Sequence, residues 1–175
     1  MIDFTKPTEY QKWLAVNDNV MGGISMGRLT YDGKSSQFQG ELSLVNNGGF
    51  SSIKRSIEPL PKEMNTVELM FIGDGRIYQL RLTTWKDGSP IHYKHEFSTT
   101  KGKPQKKVFN LTDFQAVFRG RLLSDAPELV ADDVKQVGFL IADKQTIPFA
   151  LNLNQIQFKT LPKLNQWIKP QLRHA

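Results

Sequence analysis

The sequence predicts an all-β fold, a two-sheet antiparallel jelly-roll sandwich with little helix. Three observations lead there. Apolar residues recur at every second position, as in Val67, Leu69 and Phe71, in Leu80 and Leu82, in Ile91, Tyr93 and Phe97, and in Phe149, Leu151 and Leu153; this is the pattern of strands that bury one face. Turns rich in glycine, proline and asparagine separate these stretches. Strands do not alternate with long helical patterns, so consecutive strands pair antiparallel and two stacked sheets are the economical architecture.

In chain order, a helical turn is expected over Thr8 to Leu14, followed by the run Asn17-Asp18-Asn19-Val20-Met21-Gly22-Gly23-Ile24-Ser25-Met26-Gly27. Three glycines and four short polar residues in that run exclude a helix and call for a shaped loop. Arg28 to Tyr31 reads as a strand closed by Asp32-Gly33, and Ser36 to Val45 as the next, ended by Asn47-Gly48-Gly49. Strands then follow over Gly49 to Ile57, Val67 to Phe71, around Leu80 and Leu82, over Ile91 to Phe97, Lys106 to Leu111 and Val134 to Ala142, and from Phe149 to Leu153. Their turn signals are Pro59-Leu60-Pro61, Gly73-Asp74-Gly75, Asp87-Gly88 and Gly102. A second short helical segment is expected near Leu161 to Ile168.

A length of 175 residues accommodates one domain with a real core. Residues 1–160 are read as a single β-sandwich domain and residues 161–175 as a basic C-terminal tail. With 39% hydrophobic and 23% charged residues, the composition is that of an ordinary globular chain. The absence of cysteine removes disulfides, thiol nucleophiles and zinc clusters. The first residues lack the basic start and apolar run of a signal peptide, and no stretch has the length of a membrane span, so a cytoplasmic protein of bacterial style is expected. All 17 acidic residues lie at or before Asp143. Lys144, Lys159, Lys163, Lys169 and Arg173 face no acid beyond it and supply most of the formal charge of +6. A solubilising tail is the plain reading, with contact to an anionic membrane surface as the functional one. Basic residues are not interleaved with aromatics as in nucleic-acid binding, so no nucleic-acid partner is expected.

The chemistry-bearing patterns mostly fail their context tests. Gly23-Ile24-Ser25-Met26-Gly27 spells a nucleophile elbow, but the strand-like Arg28-Leu29-Thr30-Tyr31 follows where a helix is required. His92 and His95 stand three apart in a strand, on opposite faces, and cannot share an ion; His95 reads as a half-buried histidine bonded to a neighbour. Asp18, Asp74 and Asp143 suit Asx turns better than a catalytic pair. Neither catalysis nor a cofactor or metal is expected. Arginines in glycine-rich surroundings, Arg55, Arg76, Arg119 and Arg121, have Asp18, Asp74, Asp113 and Asp143 as carboxylate partners for pinning loops; Arg119 is read as such a clamp. Of the tryptophans, Trp13 is expected to pack the N-terminal segment and Trp167 to dock the tail, leaving Trp85, beside Asp87-Gly88, as the sugar-stacking candidate.

Five ordered motifs carry a resemblance over nearly the whole chain from Trp13 to about Phe158. They are the 17–27 run, Asn47-Gly48-Gly49-Phe50, Gly73-Asp74-Gly75-Arg76-Ile77-Tyr78, Phe118-Arg119-Gly120-Arg121 and Ile141-Ala142-Asp143-Lys144-Gln145. Together they resemble the complex I intermediate-associated protein 30 family. The chain departs from that pattern at Thr146-Ile147-Pro148-Phe149, where the family has Gly-Pro-Phe, and at Gln105-Lys106-Lys107, where a tryptophan is usual. The resemblance implies a galactose-binding-like sandwich and a non-enzymatic assembly factor. Its partner would be a protein subunit of respiratory complex I or another membrane-associated complex, met in the cytoplasm or at the periphery of the inner membrane. A carbohydrate-binding module is the alternative. The binding surface it implies draws on Asn17, Asp18, Met21, Gly22, Gly23 and Ser25 in the first loop and on Gly48, Gly49 and Phe50 in the second. Asp74, Arg76 and Tyr78, then Arg119, and finally Asp143 and Gln145 complete it.

Overall fold

The computed structural model describes residues 1–18, 25–45 and 48–162. Within them the chain forms the strands β1 (Ile2–Asp3), β2 (Leu14–Asn17), β3 (Met26–Tyr31), β4 (Ser36–Glu41), β5 (Ser51–Ser56), β6 (Thr66–Ile72) and β7 (Ile77–Lys86). These continue as β8 (Ser89–Ser98), β9 (Pro104–Asn110), β10 (Gln115–Phe118), β11 (Arg121–Leu122), β12 (Val134–Ile141) and β13 (Phe149–Lys159). One sheet runs β3-β4-β13-β6-β9, with β1 also paired to β13, and the other runs β11-β10-β8-β7-β12-β5-β2. All ladders between these strands are antiparallel. The result is the two-sheet antiparallel sandwich that the alternation predicts.

Alternation sorts each strand between core and surface. Along β7, Tyr78, Leu80 and Leu82 are fully buried, while Gln79 and Arg81 face away from the core. Ile53 of β5 and Val137, Phe139 and Ile141 of β12 enter the same core. Aromatic contacts lock the layers together: the rings of Phe38 and Phe149 lie 5.0 Å apart, and those of Phe71 and Phe97 lie 5.2 Å apart. Burying one such ring contributes on the order of 2–3 kcal/mol. Trp13 packs against Phe4 and Phe139, and its indole N–H donates to Glu9 at 2.9 Å, which seats the N-terminal segment as expected.

Several boundaries differ from the sequence reading, for identifiable reasons. The helical turn expected over 8–14 contracts to a single 3₁₀ turn, Tyr10–Lys12, because Leu14 already pairs with Lys54 at the edge of β5. The strand expected over 36–45 stops at Glu41, and the one expected over 49–57 starts at Ser51. In both cases the omitted residues bond elsewhere: the Ser43 amide donates to Ser25, and the Gly49 and Phe50 amides donate to Asp18. Leu111 belongs to a 3₁₀ turn, Leu111–Asp113, after β9. Strands β1, β2, β10 and β11 have two to four residues each, too few for an alternation to show in sequence. The helical segment expected near 161–168 and the tail lie, beyond Pro162, outside the described residues, as does Trp167.

Candidate binding cleft

Asp18 joins the first two glycine-rich loops. Its carboxylate accepts the Ser25 amide at 2.9 Å and the Ser25 hydroxyl at 2.6 Å, and it also accepts the amides of Gly49 and Phe50. The side chain is almost wholly buried. Burial by itself would raise its pKa, but the hydrogen bonds from Ser25, Gly49 and Phe50 outweigh burial and hold the carboxyl below its ordinary value. Gly49 has φ +134°, which suits glycine and turns its N–H toward Asp18. Asn17 extends the arrangement, donating to the Gly27 carbonyl and accepting the Ser51 hydroxyl. Ser25 leads into β3 rather than a helix and gives its proton to Asp18, so it is built as a loop tie. Met21, Gly22 and Gly23 lie outside the described residues.

Arg76 organises the other loops at the same end. Its guanidinium grips Asp143 through two bonds, Nε to Oδ2 at 2.7 Å and Nη2 to Oδ1 at 2.6 Å, and also donates to the carbonyls of Gln145 and Ile147. Arg76 is 4% exposed, and the bond to Asp143 holds its pKa above the ordinary value. For Asp143, burial raises the pKa and the Arg76 bond more than cancels it, leaving the carboxyl below its usual range. Asp74 accepts the Tyr78 hydroxyl at 2.9 Å and the Ala150 amide at 2.8 Å, tying β7 to the start of β13. Burial, reinforced by the Asp74 charge, pushes the Tyr78 phenol upward. Arg76 with Asp143 is therefore the loop pin that the arginine and carboxylate inventory called for.

Arg119 is not such a pin. It is exposed, has φ +50°, and lies 5.3 Å over the ring of its neighbour Phe118. Together with Gly120 it forms one wall of a cleft of about 740 Å³ across the outer face of the seven-stranded sheet. Val16 and Phe50 line the opposite side, and Lys54, Gln79, Arg81, Thr83, His92, Gly138 and Leu140 line the interior. The Asp18 tie thus fixes Phe50 at the cleft's edge. The side chains of the interior were not singled out as binding residues by sequence, since each is one polar or small residue at an outward position of an ordinary strand. The signal that could have found them is the sheet register, which is visible only once strand order is known.

The register places Lys54, Gly138, Arg81 and Lys94 side by side on β5, β12, β7 and β8. On the adjoining row, Thr83 of β7 faces His92 of β8, and the Thr83 hydroxyl and His92 Nδ1 are 2.9 Å apart. Burial lowers the His92 pKa, and the charges of Arg81 and Lys54 lower it further. His95 lies on the other face, its ring 4.7 Å from that of Phe109, with Nδ1 2.7 Å from the Glu96 carbonyl. No group of three His, Asp or Glu side chains close enough to hold a metal occurs among the described residues. Trp85 is 55% exposed near the β7–β8 turn but does not line the cleft. No helix among the described residues is long and apolar enough to cross a membrane.

The sequence profile described as Complex I intermediate-associated protein 30 matches residues 2–153. An uncharacterised protein of Schizosaccharomyces pombe is 28% identical, covering 93% of this chain and 84% of its own length. The mitochondrial Complex I intermediate-associated protein 30 of Mus musculus is 25% identical over 91% of this chain, which spans only 55% of the mouse protein. In structure, the chain is similar to the family 11 carbohydrate-binding module of a cellulosomal cellulase of Clostridium thermocellum. The TM-score is 0.67 at 9% identity, with 93% of this chain and 95% of that module covered.

Proposed function

Because the chain belongs to the Complex I intermediate-associated protein 30 family, we propose that it is a non-enzymatic binding protein that assists the assembly of respiratory complex I or another membrane-associated protein complex. The observation that carries this reading is the family match over most of the sandwich, combined with an open cleft to whose walls Phe50, Arg119 and Gly120 of the family-like motifs contribute. In this reading a protein subunit of the complex contacts Asn17, Phe50, Arg119 and the loop edges at Gly48, Gly49 and Gln145. Asp18, Ser25, Asp74, Arg76, Tyr78 and Asp143 hold those loops in shape from within. A rigid scaffold presenting pinned loops is a common way to build a recognition surface.

The experiment is in-cell crosslinking of the tagged protein, followed by mass spectrometry of partners from the soluble and membrane fractions. Recovery of dehydrogenase subunits or their assembly intermediates supports the reading; their absence from both fractions sinks it. The basic tail extends the proposal to a protein working in the cytoplasm at the periphery of the inner membrane. Charge reversal of Lys163, Lys169 and Arg173 is expected to lower recovery with membranes, and unchanged fractionation removes that extension.

Carbohydrate binding is the second reading. It is favoured by the position of the cleft across one face of a sandwich similar in fold to a carbohydrate-binding module. Fold likeness alone is a weak warrant, because sandwiches host many functions. Retention of glycans with no dehydrogenase subunit in the crosslinking experiment would select it.

A further inference from the structure

We propose that the cleft on the outer face of the seven-stranded sheet recognises carboxylates, and that Arg81 and Lys54 seat an extended acidic segment of the protein partner there. The inference rests on the partner-binding reading above and deepens it by naming the chemistry of the bound segment.

Charge in the cleft is one-sided. Lys54, Arg81 and Arg119 line it together with His92, and no acidic side chain does. Several cations outside the cleft are held by carboxylates: Arg55 meets Glu9, Arg76 meets Asp143, Lys94 meets Glu96 and Lys159 meets Glu68. Neither Lys54, Arg81 nor Arg119 has a carboxylate within 4.0 Å among the described residues. All 17 acidic residues of the chain fall among those residues, so no acidic side chain is hidden in the rest.

Arg81 is the focus. Its neighbour across the β7–β8 ladder is Lys94, a like charge that costs stability when directly opposite. Its guanidinium donates to the Gln79 side chain at 2.8 Å, and burial lowers its pKa, the mark of a cation losing water without gaining a counter-ion. Lys94 pairs with Glu96 at 3.3 Å, so within this row of the sheet Arg81 and Lys54 are the cations without a carboxylate partner. A partly desolvated guanidinium with an open fork is suited to bidentate capture of a carboxylate.

Spacing and shape point to an extended chain. Lys54 and Arg81 sit on strands either side of β12, with Gly138 between them. Two strand spacings are about 10 Å, close to the roughly 9 Å turn of an extended peptide in the polyproline II conformation, whose side chains three apart share one face. A glycine keeps the floor between the two cations clear. The aromatic side chains lining the cleft are Phe50 and Phe139, and Phe139 is wholly buried in the core, so a broad stacking platform for a neutral sugar ring is missing there.

The test measures fluorescence anisotropy of a labelled Gly-Glu-Ala-Ala-Glu-Gly peptide against its glutamine counterpart. Glucuronate oligosaccharide and phosphatidylglycerol vesicles serve as competitors. Binding of the acidic peptide at least about tenfold tighter than its counterpart is expected, with a similar loss in the Lys54→Gln/Arg81→Gln double variant. Equal affinity for the two peptides, or undiminished binding by the double variant, overturns the proposal. So does binding of the oligosaccharide or the vesicles without the peptide. Should the double variant fail to fold, amide shift mapping on the wild-type chain decides: shifts at Ser52, Lys54, Arg81 and Gly138 support the site, and shifts confined elsewhere overturn it. Dehydrogenase subunits crosslinked equally by the double variant would sink this inference alone, whereas peptide binding without any such subunit in cells would sink only the assembly reading.

Discussion

Asp18 remains charged in an almost closed setting because four donors from three residues converge on its two oxygens. Asp18→Asn would aim an amide group at backbone N–H groups that need an acceptor. The expected cost is about 1–3 kcal/mol, which for a chain of this size is a melting temperature lower by roughly 2–12 °C in calorimetry at pH 7. The pH dependence has a definite sign. The folded pKa lies below the unfolded value of about 3.9, so the stabilisation is full above that value and is lost as pH falls through the folded pKa. The gap between wild type and Asp18→Asn should narrow in that window, and a gap constant down to pH 2 would contradict the account. Arg119 carries the opposite expectation. As an exposed wall residue stacked on Phe118 rather than a clamp, it should tolerate Arg119→Ala with a melting temperature within about 1 °C of wild type, since surface changes of this kind stay within about 0.5 kcal/mol. A fall of several degrees would restore the clamp reading.

Strand β12 shows how one element serves both core and surface. Val137, Phe139 and Ile141 fill the interior, and Gly138 and Leu140 form part of the cleft floor. A β-carbon added at Gly138 would meet the Ile53 carbonyl oxygen at 2.6 Å, a backbone atom with no room to give. Gly138→Ala should therefore strain the β5–β12 ladder and cost about 1–3 kcal/mol, read from the urea midpoint. A neutral result would mean that the two strands separate more readily than their six-residue register suggests. The short strands β2 and β10 matter in a different way: β2 supplies Val16 to one cleft wall, and β10 leads into Arg119 at the other. Their pairing with β5 and β8 sets the width of the cleft.

Across the whole molecule, the outer face of the seven-stranded sheet carries a positive potential that His92 senses. Its pKa is lowered first by burial and then by Arg81 and Lys54, so the folded state favours neutral imidazole. Stability from this group is present above the unfolded value of about 6.5 and declines as pH falls below it. NMR titration should place His92 below that value and move it upward in the Lys54→Gln/Arg81→Gln variant. No upward movement would mean that burial alone sets the shift. Much of the architecture that creates this face was legible beforehand. The long strands β6, β7, β8, β12 and β13 each bury enough alternating residues to be read directly, and Gly73-Asp74-Gly75 and Asp87-Gly88 mark their turns. Partners across loops were legible only as an inventory: Arg76 and Asp143 stand 67 positions apart, and nothing local selects that pairing over the other aspartates.

The β class, the alternating core positions of the long strands and the family motifs follow from the order of residues alone, because hydrophobic alternation and turn chemistry act over a few neighbouring residues. Tertiary structure alone decided that Asp18 closes onto Gly49 and Phe50, and that Lys54, Arg81 and His92 share one cleft with Gly138. Those neighbours come from the strand order β8-β7-β12-β5, in which residues far apart in the chain are set side by side by packing of the two sheets. The energy that selects this order is the burial of the common aromatic core, a property of the assembled sandwich that no single stretch of chain carries.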